Sequence, residues 1–482
     1  MEKNLTNKTV VGFFWISILK FGNAILQFLV LVILARLLNP TEFGLMSVAL
    51  VIVSFSDIFT DLGFGPAITQ KKELSKSDVN ISFSVSFFLG LLLMALLFFL
   101  SPYISIFFSN NDLTPILRAI SIVLFLHSLS STPLGLMYRD LRYKQFSLIS
   151  LVSYGIGYGC VGIILAFKGF GVWALVIGVV CQAIISTALL LVYANHTFRF
   201  EWNKKSFKGL LKFGGGYSLG KIFSFVGNKG EKIVVGRVLG LELLGIYEKG
   251  YQLVKYISGL FGETIDKVLF SPLAQKQDDR KKIAEIFIEL TYLISLILFP
   301  VNSFILCNSE ELVKIMLGFQ WMNAVPIVKI MSFCLFFLVC AHVGSTLAKS
   351  LGDVYNRALR TFIYSLLVIV GAYFGSKNGI EGVAFMVTIA VVINYILAFN
   401  QTYNLTKVKI ASFIEAHLLG LFSGFLFYFL SKNILLFNDN YILKFILNIG
   451  ILLLVYLIAF IMDYKRIIKK YLKMILKGFR AK

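Results

Sequence analysis

Charged residues are scarce in this sequence, and several signatures of enzymes are missing. Charged side chains make up 15% of its 482 residues, whereas about 25% is usual for a soluble domain. There is no Walker A motif, and no His, Cys, Asp or Glu set has the spacing of a metal site. The histidines do not cluster, and they are His127, His196, His342 and His417. The sequence therefore predicts a protein that is not an enzyme and needs no metal or cofactor.

Cysteine is rare and follows no pattern. The five cysteines form no CxxC motif, and most of them lie in apolar runs. We interpret them as small buried hydrophobic residues rather than as a disulfide or metal framework. The N-terminus also lacks a small-residue cleavage site after a short apolar core, so 10–38 is interpreted as a retained span and not as a signal peptide.

Long apolar runs are what the sequence has in abundance. Hydrophobic residues make up 58% of the chain, against about 45–50% in soluble domains. A membrane-spanning helix needs about 20 apolar residues, and unbroken runs such as 89–100 are unlike the alternating strands of an outer-membrane barrel. We therefore predict an all-α polytopic membrane protein with about 14 transmembrane helices. The predicted spans are 10–35, 43–69, 81–108, 115–138, 146–167, 171–195, 213–236, 243–271, 286–307, 325–348, 359–376, 380–405, 412–431 and 442–462.

The net charge of +21 is distributed unevenly over the predicted connections. Thirty Lys and Arg residues fall on the side that holds both termini, and seven fall on the other side. Because basic residues accumulate on the cytoplasmic side of a membrane protein, we predict that both termini are cytoplasmic. The tail 463–482 interleaves basic residues with isoleucine and leucine, which predicts an amphipathic helix on the anionic lipids of the inner leaflet. A nucleic-acid partner is not needed to explain the charge.

The two halves of the sequence resemble each other. Residues 33–45 match 234–246 at an offset of 201, and 115–125 match 326–336 at an offset of 211. Such an offset contains six predicted spans, an even number, so the two copies have the same orientation in the membrane. This predicts two pseudo-symmetric six-helix lobes, the usual plan of an alternating-access transporter.

This repeat sets the predicted domain boundaries. The divisions are an N-lobe at 1–195, a basic cytoplasmic linker at 196–212, a C-lobe at 213–405, two appended helices at 406–462 and the basic tail at 463–482.

Polar and charged residues form stripes on several spans. A lysine at the centre of a membrane helix costs about 2.5–3.5 kcal/mol on insertion scales, so these residues should face water or one another. Pairing between helices or snorkelling at span ends is an equally good interpretation for some of them, such as Lys229 and Lys255. For four lysines we favour a wet cavity: Lys20, Lys221, Lys232 and Lys249. Secondary cavity residues are Asn23, Gln27, Asp61, Asn228 and Tyr256.

A cavity richer in cations than in anions predicts an anionic substrate. Lysine binds phosphate as a point charge without requiring one geometry, which suits a site that must also release its substrate. Glu231 and Glu248 precede Lys232 and Lys249 directly and so point about 100° away from them. We expect both glutamates to serve helix contacts instead of neutralising the cavity.

Arg118 and Lys329 occupy the same place in the two repeats, one turn into a helix after a proline. Both should lie near the outer membrane face. The sequence predicts that they act as a pair, in closing an outer gate or in receiving phosphate there.

Six motifs in chain order resemble a known family. They are Leu34–Gly44 (LARLLNPTEFG), Asp61–Gly65 (DLGFG), Gly169–Leu175 (GFGVWAL), Asn228 with Glu231, Tyr247–Gln252 (YEKGYQ), and Gly318 with Trp321, Ala324 and Pro326. The ordered set resembles the polysaccharide-transporter branch of the multidrug, oligosaccharidyl-lipid and polysaccharide exporter (MOP) superfamily. It is most similar to the colanic-acid and teichuronic-acid exporters, although Lys249 and Glu231 stand where that family favours Arg and Asp.

The resemblance implies a flippase with 14 helices in two lobes. Such a flippase moves undecaprenyl-diphosphate-linked oligosaccharides across the bacterial inner membrane for surface polysaccharide synthesis. Membrane lipids, a polysaccharide polymerase and chain-length machinery are the other partners that it implies.

Two alternatives stay open at this point. A multidrug or cation antiporter of the same superfamily should place carboxylates in its cavity, where this chain has Lys20 and Lys221. A membrane polysaccharide polymerase or ligase should have a sizeable outer loop with Arg and His, whereas the longest outer breaks here, about 109–114 and 308–324, are short. Neither the sugar nor the driving force can be deduced from the sequence.

Overall fold

A computed structural model of the chain describes residues 19, 22–60, 63–71, 73–194, 196, 199–275, 279–434 and 441–463. The helices are α1 (Gly22–Leu37), α2 (Pro40–Thr60), α3 (Phe64–Gln70), α4 (Lys76–Phe107), α5 (Leu113–Arg139), α6 (Tyr143–Ser153), α7 (Gly162–Phe167), α8 (Val172–Tyr193), α9 (Lys204–Val238), α10 (Leu241–Gln275), α11 (Arg280–Cys307), α12 (Ser309–Met316), α13 (Val325–Ser332), α14 (Cys334–Ser350), α15 (Val354–Gly375), α16 (Gly379–Thr406), α17 (Ile410–Ile434) and α18 (Tyr441–Asp463). A π-helical stretch, Tyr154–Val161, joins α6 to α7, and short 3-10 helices occur at Phe319–Ala324 and Ser376–Asn378.

Helices fall on the predicted spans throughout the described ranges, but α9 and α10, at the predicted spans 213–236 and 243–271, are not among those apolar enough to cross a membrane by composition alone. Within the described residues, nine helical stretches are long and apolar enough to cross a membrane, and a bent pair, Phe319–Ser332 with Cys334–Ser350, could form a tenth. One of the nine, Val354–Thr406, covers two predicted spans. The prediction of an all-α, multi-pass membrane protein is confirmed, while the number of about 14 spans stays a prediction.

Two predicted spans are interrupted. The second span, predicted at 43–69, breaks between α2 and α3, where Gly63 has a φ of 73°. Glycine adopts this left-handed conformation without the steric penalty of a side chain, so the chain can turn there. The predicted span 325–348 bends by 45° between α13 and α14.

One part of the predicted linker 196–212 is helical, and another part packs against α4. α9 already begins at Lys204, because lysine favours helix and the helix can continue into the water-facing region. Just before it, the ring of Phe200 lies 5.1 Å from that of Phe87 on α4. The backbone N–H of Glu201 donates to the Ser84 hydroxyl at 2.9 Å.

The side chain of Glu201 adds to this docking. Its carboxylate accepts hydrogen bonds from the Asn80 amide at 3.0 Å and from the Ser77 hydroxyl. These bonds favour the charged form and hold the pKa of the Glu201 carboxyl below its ordinary value. The segment that leads into α9 is therefore fixed to the cytoplasmic end predicted for α4.

By packing, the chain divides into two compact units, Met1–Glu248 and Lys249–Lys482. The division falls inside α10, not at the predicted linker, because α9 packs against α2, α3 and α4 in the first unit. A division by packing is not a division by repeat, so the lobe boundaries stay a prediction.

Small residues let the helices of each unit approach closely. In the first unit, a Cβ on Gly157 would lie 2.4 Å from the backbone of Gln182. In the second unit, a Cβ on Gly375 would lie 2.4 Å from the carbonyl oxygen of Gly382. Close backbone approach at small residues is a main source of helix association in lipid, where burial of apolar surface contributes little.

Candidate functional site

The two copies of the repeated motif meet at the start of α2 and α10. A Cβ on Gly44 would lie 1.7 Å from the carbonyl oxygen of Leu241, and a Cβ on Gly245 would lie 1.9 Å from that of Pro40. Each glycine therefore packs against the first residue of the helix that carries the other glycine. All four residues belong to the first unit. The contact is reciprocal, as a two-fold pseudo-symmetry requires, and only glycine fits at either position.

A polar contact continues this junction one turn further along both helices. The hydroxyl of Ser47 on α2 donates to the carboxylate of Glu248 on α10, and these two residues are again 201 positions apart. Glu248 also receives the ammonium group of Lys232 on α9, with Nζ and Oε1 2.6 Å apart. The side chains of Lys232 and Glu248 are 13% and 20% exposed, so this ion pair is largely shielded from bulk water.

This ion pair corrects one expectation. Glu248 points away from its sequence neighbour Lys249, but it neutralises Lys232. The 100° argument compares adjacent residues on one helix, whereas Lys232 reaches Glu248 from a different helix. The carboxylate is therefore part of the charge environment of a predicted cavity lysine.

The other charged residues of α9 are also embedded in the first unit. The ammonium group of Lys229 donates to the hydroxyl of Ser54 on α2 at 2.5 Å, which is the interhelical pairing that was one interpretation of this lysine. Glu231 is 2% exposed and Lys221 is half-buried. Asn228 donates to the backbone carbonyl of Ser224 on its own helix at 2.6 Å.

In the second unit, three polar side chains of α10 form a hydrogen-bonded row, Lys249, Gln252 and Tyr256. Lys249 is 8% exposed, and its ammonium group donates to the amide oxygen of Gln252 at 2.9 Å. The amide nitrogen of Gln252 in turn donates to the hydroxyl of Tyr256 at 3.0 Å. A buried ammonium group needs such bonds, since burying an unbonded charge is costly.

The predicted residues of the first and second spans are only partly visible. Lys20 and Asp61 lie outside the described residues. Asn23 on α1 donates to the Ser150 hydroxyl on α6 at 3.5 Å, and Gln27 is half-buried.

Arg118 and Lys329 have different environments in their respective units. The guanidinium of Arg118 stacks over the ring of Phe98 at 5.0 Å and lines an apolar cleft of about 610 Å³ between α4, α5 and α8. The ammonium group of Lys329 lies 3.7 Å from the Glu310 carboxylate, and both side chains are largely exposed. Exposed ion pairs contribute about 0–1 kcal/mol. A joint role of the two cations stays a prediction.

One pair of ionisable residues was not anticipated. The Nδ1 atom of His127 on α5 lies 3.1 and 3.0 Å from the two carboxylate oxygens of Asp57 on α2. The sequence shows Asp57 as a carboxylate within a span, and it shows four dispersed histidines, but only the fold brings this carboxylate to an imidazole. A useful signal would have been that His127 also lies inside an apolar span, where an ionisable group rarely occurs without a function.

Known proteins resemble this chain in sequence and in fold. A family described as polysaccharide biosynthesis protein matches residues 33–326, more than half of the chain. The lipopolysaccharide biosynthesis protein WzxC of Escherichia coli K12 is 24% identical over 88% of this chain and 86% of its own length. The teichuronic acid biosynthesis protein TuaB of Bacillus subtilis is 22% identical over 86% of both chains.

Among solved structures, the lipid II flippase MurJ in an inward closed conformation superimposes with a TM-score of 0.77. The match covers 94% of this chain and 99% of MurJ at 17% sequence identity, so it concerns the fold. The motif-based resemblance agrees with these matches. With its repeated motif, its membrane helices and a family match over more than half of its length, the chain belongs to the polysaccharide biosynthesis protein family.

Proposed function

We propose that this protein is an inner-membrane flippase, with both termini cytoplasmic, that translocates undecaprenyl-diphosphate-linked oligosaccharides by alternating access. The observation that carries the proposal is the set of shielded ammonium groups on α9 and α10, with Lys232 and Lys249 as its best defined members. The names of WzxC, TuaB and MurJ support the substrate class, because they refer to surface polysaccharides and to a lipid-linked sugar.

The proposed chemistry is reversible binding of phosphate by lysine. A diphosphate needs about two positive charges to balance it, and each hydrogen bond to a charged group contributes about 1.5–3 kcal/mol. Lys249 and the half-buried Lys221 would bind phosphate oxygens, together with Lys20. Lys232 would do so in competition with the Glu248 carboxylate. This competition weakens the bound state and therefore favours release on the other side of the membrane.

No chemical step on the substrate is proposed. The structural relative MurJ is named as a flippase, which fits transport. The polymerase and the chain-length machinery would act on the oligosaccharide after its translocation.

Flipping in reconstituted vesicles tests the proposal. The protein is inserted into liposomes that carry an undecaprenyl-diphosphate-linked oligosaccharide, and the fraction of sugar accessible from outside is followed over time. Lys20→Gln, Lys221→Gln, Lys232→Gln and Lys249→Gln should each weaken substrate binding by about ten- to hundredfold, because about 1.4 kcal/mol corresponds to one decade. Removing an intramembrane cation should not impair insertion.

Lys409→Gln is the matched control, because Lys409 is an exposed lysine in the predicted cytoplasmic connection before α17. It should flip at the wild-type rate. Wild-type rates in all four cavity variants would show that the lysines do not bind the substrate. Transport of a cationic drug by vesicles that flip no oligosaccharide would favour the antiporter instead.

A further inference from the structure

The contact between Asp57 and His127 has no part in phosphate binding as proposed above. Both residues lie inside apolar helices, α2 and α5, and the imidazole Nδ1 is within hydrogen-bond distance of both carboxylate oxygens. The side chains are 43% exposed for His127 and 31% exposed for Asp57.

Helix packing alone does not explain the pair. α5 is already tied to neighbouring helices by neutral bonds, from Ser82 on α4 to Thr132 at 2.9 Å and from Thr187 on α8 to the Leu126 carbonyl at 3.0 Å. An ionisable residue within a membrane is costly and usually marks an ion or substrate pathway. Histidine is the side chain that gains and loses a proton between about pH 5 and 8.

Among the described residues of α9, the ionisable groups nearest to the level of the pair are Lys221 and Lys229. Ser54 contacts Lys229, and the ring of Phe55 lies 5.4 Å from that of Phe225. Asp57 therefore lies level with the part of α9 between Lys221 and Lys229. Gly90 on α4 packs against Ser128, and Thr187 on α8 bonds the Leu126 carbonyl, so both residues lie at the level of His127. At 1.5 Å per residue, the nearest ionisable side chain is about 18 Å from Gly90 along α4 and about 9 Å from Thr187 along α8.

Other ionisable side chains lie on the described helices packed against α2 and α5. α3 carries none. The others are Glu42 on α2; Lys76, Asp78 and Tyr103 on α4; Arg118, Tyr138 and Arg139 on α5; Tyr143 and Lys144 on α6; Cys181 and Tyr193 on α8; Lys204, Lys205, Lys208, Lys212, Tyr217, Lys221, Lys229, Glu231, Lys232 and Arg237 on α9; and Glu242, Tyr247 and Glu248 on the part of α10 that contacts α2. Asp61 and Lys20 are outside the described residues.

The pair is also located where its two helices are irregular. Asp57 is in the last turn of α2, where the Thr60 hydroxyl donates to the Asp57 carbonyl at 2.9 Å, directly before the break at Gly63. His127 is in α5, two turns before Pro133, which lacks the N–H of a regular helix. A change of charge at the pair therefore acts on helix segments that can bend.

We propose that Asp57 and His127 form a proton-binding site that couples this transporter to a pH gradient. This inference rests on the proposed function and adds its driving force. A hydronium ion from the acidic side transfers its proton to the imidazole and leaves as water, and the imidazolium is stabilised by the Asp57 carboxylate. After the conformational change, the proton leaves to water on the other side. One proton is moved per cycle, and no bond in the substrate changes.

Flipping under an imposed pH gradient tests the coupling. The vesicles are those that carry the undecaprenyl-diphosphate-linked oligosaccharide, with inside and outside pH set independently. For one proton per cycle, each unit of pH difference should change the wild-type equilibrium distribution of sugar by about tenfold. His127→Gln and Asp57→Asn should remove this response, whatever their rates without a gradient. His417→Gln is the matched control, because His417 lies in an apolar helix of the second unit and bonds a neutral group, the Tyr395 hydroxyl, at 2.8 Å.

A double variant in which the two residues are exchanged distinguishes loss of the proton site from misfolding. The double variant Asp57→His with His127→Asp restores an imidazole and a carboxylate in contact, so it should recover part of the gradient response that either single change removes. A wild-type distribution that ignores the gradient, or single variants that respond like the wild type, would overturn the inference and leave the flippase intact. Absence of flipping in wild-type vesicles at any gradient would count against the proposed function instead.

Proton binding itself can be followed without transport. The ¹⁵N chemical shifts of His127 in the detergent-solubilised protein should titrate between about pH 5 and 8 and change their midpoint in Asp57→Asn. An imidazole that keeps one protonation state through this range in both proteins would overturn the inference whether or not flipping is observed.

Discussion

At the same offset of 201 as the repeat, the segment 40–54 of the first copy and the segment 241–255 of the second copy agree in one feature and differ in another. Both segments carry a glycine, Gly44 or Gly245, against which the first residue of the other segment packs. Three residues after these glycines, the first copy has Ser47 and the second has Glu248, and these two side chains bond to each other. One helical repeat further along, Ser54 matches Lys255 in the same way. The first copy presents neutral hydroxyl groups where the second presents charges.

This difference separates packing from chemistry. The backbone contact requires the smallest residue on both sides, so neither copy could change it alone without a clash. The polar positions had no such constraint, and each serine of the first copy bonds a charged group of the first unit, Ser47 with Glu248 and Ser54 with Lys229. The copies therefore share the glycine at which the two helices pack together and differ in the residues that carry charge.

The largest effect should come from the shared glycines. Gly245→Val and Gly44→Val place side chains where a Cβ alone would lie 1.9 and 1.7 Å from a carbonyl oxygen. Overpacking of a well-packed site typically costs about 1–3 kcal/mol, and backbone atoms cannot move aside as flexible side chains do. We expect a fall in the thermal unfolding midpoint in detergent and the loss of flipping for each variant.

Gly259→Val is the matched control for these variants, because Gly259 belongs to the same helix as Gly245, α10, and an added Cβ there would meet no neighbouring atom within 4 Å. It should lower neither the unfolding midpoint nor the rate of flipping, because valine is no worse than glycine within a helix. If Gly44→Val and Gly245→Val unfolded at the wild-type midpoint, the two motifs could not be in the contact described here.

The glycines also show how far the sequence could predict the structure. Hydropathy, the positive charges and the repeated motif predict a helical membrane protein with a duplicated segment, because those patterns depend on periodicity and composition. The same patterns cannot show that copies 201 residues apart touch. Helical spacing gives the direction of a side chain on its own helix, but not which helix it meets, so it missed the bond from Lys232 to Glu248 and the pair of His127 with Asp57.

The next largest effect should come from the charge that only the second copy has. Glu248→Gln keeps an acceptor for Ser47 but leaves the largely shielded ammonium group of Lys232 without its carboxylate. Breaking a fully buried ion pair costs about 3–5 kcal/mol, and the cost here should be smaller because both side chains retain some exposure. In flipping assays, removing the competing carboxylate should strengthen substrate binding and slow release, so that KM and kcat both fall.

Lys232→Gln should move KM in the opposite direction, because it removes the cation and leaves the carboxylate. Should both variants raise KM alike, the ion pair would have a structural role and no part in phosphate binding. Their unfolding midpoints, measured in parallel, separate that outcome from a loss of folded protein.

A smaller effect is expected at Ser54, seven residues after Ser47 on α2. Lys229→Gln removes the charge that bonds Ser54 across α2 and α9. Hydrogen bonds between membrane helices average about 0.6 kcal/mol and reach about 1.7 kcal/mol. A double-mutant cycle with Ser54→Ala should give a coupling free energy within that range. A coupling near zero would mean that the two helices do not depend on this bond.

The smallest effect should come from the neutral member of the first pair. Ser47→Ala removes one hydroxyl that donates to Glu248, while the carboxylate keeps its ion pair with Lys232. The expected loss is again about 0.6 kcal/mol, which should lower the unfolding midpoint only slightly and leave KM unchanged. Ser101→Ala is the matched control, since Ser101 is a fully buried serine whose hydroxyl bonds the Phe98 carbonyl of its own helix at 2.8 Å. If Ser47→Ala shifted KM as strongly as Glu248→Gln, the Ser47 hydroxyl would set the position of the Glu248 carboxylate. The first copy would then also contribute to substrate binding.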